Sequence, residues 1–151
     1  MQKIALGADH AGCPAKEKIK EHLRTHYPQF EIEDYGATGE EKVDYPDYAH
    51  LVAEAVSGGK VHRGVLTCGT GVGMSIAANR HPGIRAALCH DLYTARMARL
   101  HNDANILVVG GRVLSTETIL QIVDTFLTTD FEGGRHLGRL AKIELPAARK
   151  E

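Results

Sequence analysis

Gly64-Val65-Leu66-Thr67-Cys68-Gly69-Thr70-Gly71-Val72-Gly73-Met74-Ser75-Ile76-Ala77-Ala78-Asn79 reads as a strand that runs through a glycine-rich turn into a helix. Gly64 to Cys68 has the length and mixed apolar character of a strand buried on both faces. The glycines at 69, 71 and 73 end it, and a helical pattern takes over from about Met74 to Asn79. Strand, turn and helix in this order form the repeating unit of a parallel α/β sheet.

Working outward, the same rhythm recurs on both sides. Upstream lie a strand at Ile4 to Ala8, a helix to about His26, a strand at Phe30 to Tyr35 and an amphipathic stretch over Tyr48 to Val56. Downstream come a strand at Ile84 to Cys89, a helix over Leu92 to Leu100 and a strand at Ala104 to Val109. A helix over Thr116 to Leu127 follows, with Ser115 as N-cap, and a last helix from about Arg135 to Ala148, weakened near its end by Pro146. The prediction is a doubly wound, Rossmann-like three-layer αβα sandwich with a five-stranded parallel sheet and an extra C-terminal helix. The 151 residues suit one domain spanning 1–151, and neither a repeat nor a linker interrupts them.

Composition narrows the function. A net charge of -1, with 25% charged and 43% hydrophobic residues, gives no basic face for nucleic acid and no apolar run able to span a bilayer. The start, Met1-Gln2-Lys3-Ile4, lacks the regions of a signal peptide. Three cysteines, Cys13, Cys68 and Cys89, fit neither a disulfide framework nor a zinc ribbon, so free thiols in the cytoplasm are expected. No H-x-x-x-H, His/Asp/Glu facial set or cysteine pair appears, so neither metal nor cofactor is expected.

Ligands of an open parallel sheet bind beyond the carboxyl ends of its strands. The residues there are Asp9-His10, Cys68 to Gly73, and Gly110-Gly111-Arg112. Gly69, Gly71 and Gly73 let backbone N–H groups turn towards one point, and the next helix adds its positive end, which makes an anion cradle. Met74 stands where a dinucleotide motif needs its third glycine and where a thiol phosphatase needs arginine, so both fail; the P-loop fails for want of Gly-Lys-Ser/Thr. Cys68 reads either as a small buried hydrophobe or as a thiol activated by the helix start, and its position favours the second.

Other polar groups each have a plainer role beside the functional one. Asp9 either orients sugar hydroxyls or caps the next helix, and His10 can meet an anion. His101 and Asn102 lie either on the loop side or at the opposite edge, depending on how their turn runs. Arg135 and Arg139, four apart, share a helix face and could clamp a phosphate or simply be solvated. Arg112 is a further phosphate candidate.

Taken together, Asp9-His10, Asp44-Tyr45-Pro46, Cys68 to Gly73 with Ala77-Ala78-Asn79, His101-Asn102-Asp103 and Gly133-Gly134-Arg135-His136 with Arg139 resemble the type B ribose-5-phosphate isomerases, a family that includes the galactose-6-phosphate isomerase subunits. The resemblance covers nearly the whole chain. It implies that Cys68 shuttles a proton between C1 and C2 of a sugar phosphate, with Thr70 and the amides of Gly69 to Met74 stabilising the enediolate. His101 would help open the furanose ring, with Asp9 near the ring oxygen or the hydroxyls. Asn102 and Tyr45 would contact the sugar. His10, Arg112, Arg135 and Arg139 would bind phosphate, the last two in the site of a neighbouring subunit, so that a homodimer or a dimer of dimers is expected. Some members replace the cysteine base by a glutamate at the position of Met74; this chain falls in the thiol branch. Hexose phosphates such as allose 6-phosphate or galactose 6-phosphate remain alternative substrates. A phosphate-releasing enzyme working through an enediolate and a non-catalytic sugar-phosphate sensor are the rival activities.

Overall fold

The computed structural model describes residues 1–39 and 41–146. Its elements are β1 (Lys3–Ala8), α1 (Cys13–His26), β2 (Glu31–Asp34), α2 (Tyr45–Ser57), β3 (Arg63–Cys68), α3 (Val72–Ala78), β4 (Ala86–Leu88), α4 (Leu92–Leu100), β5 (Ile106–Gly110), α5 (Thr116–Thr128) and α6 (His136–Ala141). The strands form one parallel sheet in the order β2-β1-β3-β5-β4. This is the expected sandwich, with helices on both faces.

Period-two alternation along the central strands feeds two cores. Ile4, Leu6, Val65, Leu107 and Val109 pack with Ile19 and Leu23 of α1, Ala95 of α4 and Ile122 and Phe126 of α5. On the other face, Ala5, Leu66, Ile106 and Val108 pack with Val52 of α2 and Met74 and Ala78 of α3. Each fully buried large apolar side chain among these stabilises the fold by roughly 1.5–3 kcal/mol. That is why β3 and β5, at the centre, read as apolar runs.

Local chemistry accounts for the boundaries. Ser115 caps α5 as expected, its Oγ accepting from Thr118 N–H at 3.2 Å. Helix α2 begins at Tyr45 rather than Tyr48, because extended Asp44 stands before it and Pro46 occupies its first turn. The last helix is shorter than expected. It ends at Ala141, with Lys142 and Ile143 closing turns onto Arg139 and Leu140, and positions 147 and 148 of the anticipated helix lie outside the described residues. Gly138 at its centre and Pro146 beyond it both work against continuation.

The strand order creates the site. From β1 the chain goes to β2 on one side and later places β3 on the other, so the loops after β1 and β3 diverge at the carboxyl edge and leave a crevice between them.

Candidate active site

Cys68 ends β3 at the floor of this crevice and is 5% exposed. Its Sγ accepts the N–H of Gly71 at 3.1 Å. The two other thiols behave differently: Cys13 Sγ donates to Ala37 O at 3.2 Å and Cys89 Sγ to Ala87 O at 3.6 Å. Burial also pushes the Cys89 thiol up to about 11. Among the three thiols, Cys68 is the one whose sulfur accepts a hydrogen bond.

The loop around Cys68 is held by close backbone packing. Gly71 has φ +82, and a Cβ there would lie 2.5 Å from Leu88 Cδ1. Gly110 is equally constrained, since its Cβ would sit 2.6 Å from the carbonyl oxygen of Thr70. Gly111 N–H donates to Cys68 O at 2.8 Å and Arg112 N–H to Gly69 O at 2.9 Å, which ties the loop after β5 to the loop after β3. The hydroxyl of exposed Thr70 accepts from Val72 N–H at 3.2 Å. Met74 is fully buried in the core below, so this position carries packing and no acid–base group.

Four further sequence candidates stand on this edge. Asp9 is buried, and its Oδ1 accepts from Gly12 N–H at 2.8 Å; it closes the turn before α1 without being the helix cap expected of it, because the N-cap position falls to Gly12. His10 follows it; its Nδ1 accepts from Val43 N–H at 3.2 Å, which leaves Nε2 to carry the ring proton of the neutral form. The Tyr45 ring lies on Gly73, where a Cβ would come within 2.5 Å of Tyr45 Cε2. The Arg112 side chain runs over Gly69, its Cδ 3.5 Å from the position of a Cβ there.

His101, Asn102, Arg135 and Arg139 are elsewhere. His101 caps the C-terminus of α4 and precedes β5, whose first residue Ile106 pairs with Gly64 at the start of β3. They therefore stand at the amino edge of the sheet, at least ~13 Å from Cys68 at four residues of strand rise. Of the two placements the sequence allowed for the His101 turn, the structure selects the opposite edge. The turn is firmly built. Asp103 takes a φ of 44 there, and Arg99 donates through Nη1 to Asp103 Oδ1 at 2.9 Å and to Ala104 O at 2.7 Å. Arg85 Nε donates to Asn102 O at 3.0 Å.

Against this turn sits α6. His136 stacks on His101 with ring centroids 4.3 Å apart and planes inclined by 19°. Glu132 Oε2 is 3.9 Å from Nε2 of each ring, while Oε1 is 3.6 Å from Arg135 Nη1. The sequence motif includes His136 but gives neither it nor Glu132 a role, although their spacing of four places them on one side of a helical turn. His101, Glu132 and His136 are also a set of metal-ligand types, with ligand atoms within 4.8 Å of one another, that no linear spacing revealed. The sequence candidates thus fall into two groups, with Cys68, Thr70, Asp9, His10, Tyr45 and Arg112 at one edge and His101, Asn102, Arg135 and Arg139 at the other.

A thiol at the floor of a backbone cradle, at the switch point of a parallel sheet, is the arrangement of an α/β enzyme acting on a small anionic molecule. The chain belongs to the Ribose/Galactose Isomerase family, whose profile matches residues 4–143. It is 48% identical over 143 residues to the ribose-5-phosphate isomerase B of Escherichia coli, covering 95% of each chain. Two solved structures are similar throughout. A ribose 5-phosphate isomerase from Thermotoga maritima superimposes with a TM-score of 0.90 at 53% identity, covering 94% of this chain and 97% of that one. The type B ribose 5-phosphate isomerase of Trypanosoma brucei gives 0.92 at 50% identity, covering 95% and 97%.

Proposed function

We propose that this isomerase interconverts ribose 5-phosphate and ribulose 5-phosphate through an enediolate, with Cys68 as the base that moves the proton. The observation that carries the proposal is the hydrogen bond from Gly71 N–H to Cys68 Sγ within the glycine-rich loop. Isomerisation removes a weakly acidic C–H proton beside a carbonyl and returns it to the adjacent carbon. A single thiolate reaching both carbons takes the proton from C2 of the open aldose and gives it to C1 of the enediolate, while the O2 hydroxyl proton passes to O1, which yields the ketose. The charge that develops on oxygen meets the Thr70 hydroxyl and the loop amides, a kind of stabilisation worth ~10² or more in rate for each donor.

The substrate's phosphate anchors it by its far end, so that binding energy there positions the reacting carbons. His10 and Arg112 supply this anchor from the Cys68 edge. Arg135 and Arg139 complete it from a second copy of the chain, along with His101 for ring opening and Asn102 for hydroxyl contacts. The opposite placement of the two groups supports this assembly, because a symmetric dimer can bring one edge of each subunit against the other edge of its partner. Asp9 faces the sugar, and Tyr45 borders its pocket. No helix among the described residues is long and apolar enough to cross a membrane; the proposed setting is the cytoplasm, where the three free thiols would stay reduced.

Turnover of ribose 5-phosphate, allose 6-phosphate and galactose 6-phosphate by one preparation tests the assignment. Ribose 5-phosphate is expected to give the highest kcat/KM, with no release of inorganic phosphate. Preference for a hexose phosphate would reassign the substrate, and stoichiometric phosphate release would overturn the isomerase chemistry.

A further inference from the structure

Among the buried polar groups, His136 stands out. It is 2% exposed, and its Nε2 has no hydrogen-bond partner among the described residues. Buried polar atoms normally find partners. Its surroundings are Glu132, His101, Arg135 and Arg139. A metal would satisfy the atom, yet the rings of His101 and His136 lie nearly parallel, 4.3 Å apart. Their in-plane lone pairs then run side by side in separate planes instead of converging on one ion, as tetrahedral ligation requires.

What the cluster does fit is control of His101. The backbone of His101 is fixed by its N–H bond to Met97 O at 2.8 Å and by the arginine clamps on the turn after it, which leaves the side-chain torsions to be set. One face of its ring is covered by His136, and the Glu132 carboxylate stands at its Nε2 edge. We infer that Glu132 and His136 are positioning residues for His101, holding its imidazole in the plane and direction needed to open the sugar ring; this rests on the ring-opening role proposed above. His136 is suited to be the uncharged member. Burial, then Arg135 and His101, hold it below the usual histidine range, while only Glu132 acts the other way. A neutral His136 leaves the single Glu132 charge available to His101. The same carboxylate steadies Arg135 through its other oxygen, so ring-opening group and phosphate ligand share one anchor.

The test exploits a difference between the two substrates. Ribose 5-phosphate is supplied as a closed furanose, whereas ribulose 5-phosphate cannot form one, because the oxygen that would close its five-membered ring carries the phosphate. The saturating turnover number, kcat, is measured from each side for the parent, His101→Asn, Glu132→Gln and His136→Leu, since the equilibrium constant fixes the ratio of the two kcat/KM values for every variant. His101→Asn is expected to lower the ribose-to-ribulose turnover ratio by about 10²-fold, the scale of general acid–base help. Glu132→Gln and His136→Leu are expected to lower it by about 10-fold, with a matching fall in the KM for ribose 5-phosphate as the closed furanose binds unproductively. General damage to the fold lowers both directions together and leaves the ratio at the parent value. An unchanged ratio in Glu132→Gln, an exposed position that tolerates substitution, overturns the inference if His101→Asn has lowered it. An unchanged ratio in His101→Asn overturns the ring-opening reading itself. Activation of chelator-treated parent enzyme by Zn²⁺ would overturn the inference in favour of a metal.

Discussion

Gly110→Ala is the most exacting perturbation of the Cys68 loop, because it adds one methyl group outside the crevice. The new Cβ would lie 2.6 Å from the carbonyl oxygen, 2.7 Å from the carbonyl carbon and 3.0 Å from the Cα of Thr70. These are backbone atoms, so no side chain can swing aside. The Thr70 peptide must retreat by about 0.6 Å or more to restore van der Waals contact, and overpacking of this kind costs roughly 1–3 kcal/mol of stability. The loop is also the one proposed to carry the enediolate donors. A displacement approaching 1 Å costs about 10²-fold in rate, equivalent to about 2.7 kcal/mol of lost transition-state stabilisation. Steady-state turnover of ribose 5-phosphate should show kcat reduced by about 10²-fold with KM changed far less. Gly39→Ala, where nothing lies within 4 Å, serves as the neutral comparison. A folded Gly110→Ala enzyme with kcat within about twofold of the parent would refute the claim that tight β5–loop packing positions the catalytic donors.

Two further outcomes follow from the geometry. In the corner of α1 and β2, buried Lys16 donates to both oxygens of Asp34, at 2.7 and 2.8 Å, and Lys20 donates to Asp34 at 2.7 Å. Burial raises the Asp34 carboxyl, but the hydrogen bonds from Lys16 and Lys20 outweigh it and hold it below its usual range. A depressed carboxyl stabilises the fold above its unfolded value and loses that contribution as pH falls through the folded one. Asp34→Asn should therefore cost roughly 1–3 kcal/mol at pH 7, because it leaves buried Lys16 with Glu17 Oε1, at 3.2 Å, as its remaining charged partner, and urea unfolding should show the gap to the parent narrowing below about pH 4. For the shared site, Cys68→Ala and His101→Asn are each expected to be strongly impaired alone. After subunit exchange the mixture should regain about one quarter of parental activity, since half the dimers are mixed and each has one intact site; no regain would place both groups in one chain's site.

The sheet was legible because buried parallel strands leave uninterrupted apolar runs, and Cys68 with its glycines was legible because a strand end, a thiol and a helix start adjoin in sequence. Strand order was not. The insertion of β5 between β3 and β4 depends on which face each crossover helix covers, and the runs at Ala86 and Ile106 look alike from composition. Tyr45 lies against Gly73 of the Cys68 loop, and Asp44 and Pro46 start its helix three residues earlier than the apolar pattern suggested. The side of His101 hung on a turn held by Arg85, 17 positions from Asn102, and its pairing with His136 joins segments 35 positions apart. Such long-range polar contacts leave no periodic trace.

The central claim is that the Cys68 thiolate carries the proton. Turnover of ribose 5-phosphate by Cys68→Ala tests it most directly, with thermal unfolding to confirm that the variant is folded. Loss of a group that acts as base for both half-reactions should lower kcat by about 10³-fold or more, with substrate binding through His10 and Arg112 retained. Turnover within about threefold of the parent would contradict the account and assign the proton transfer to another group.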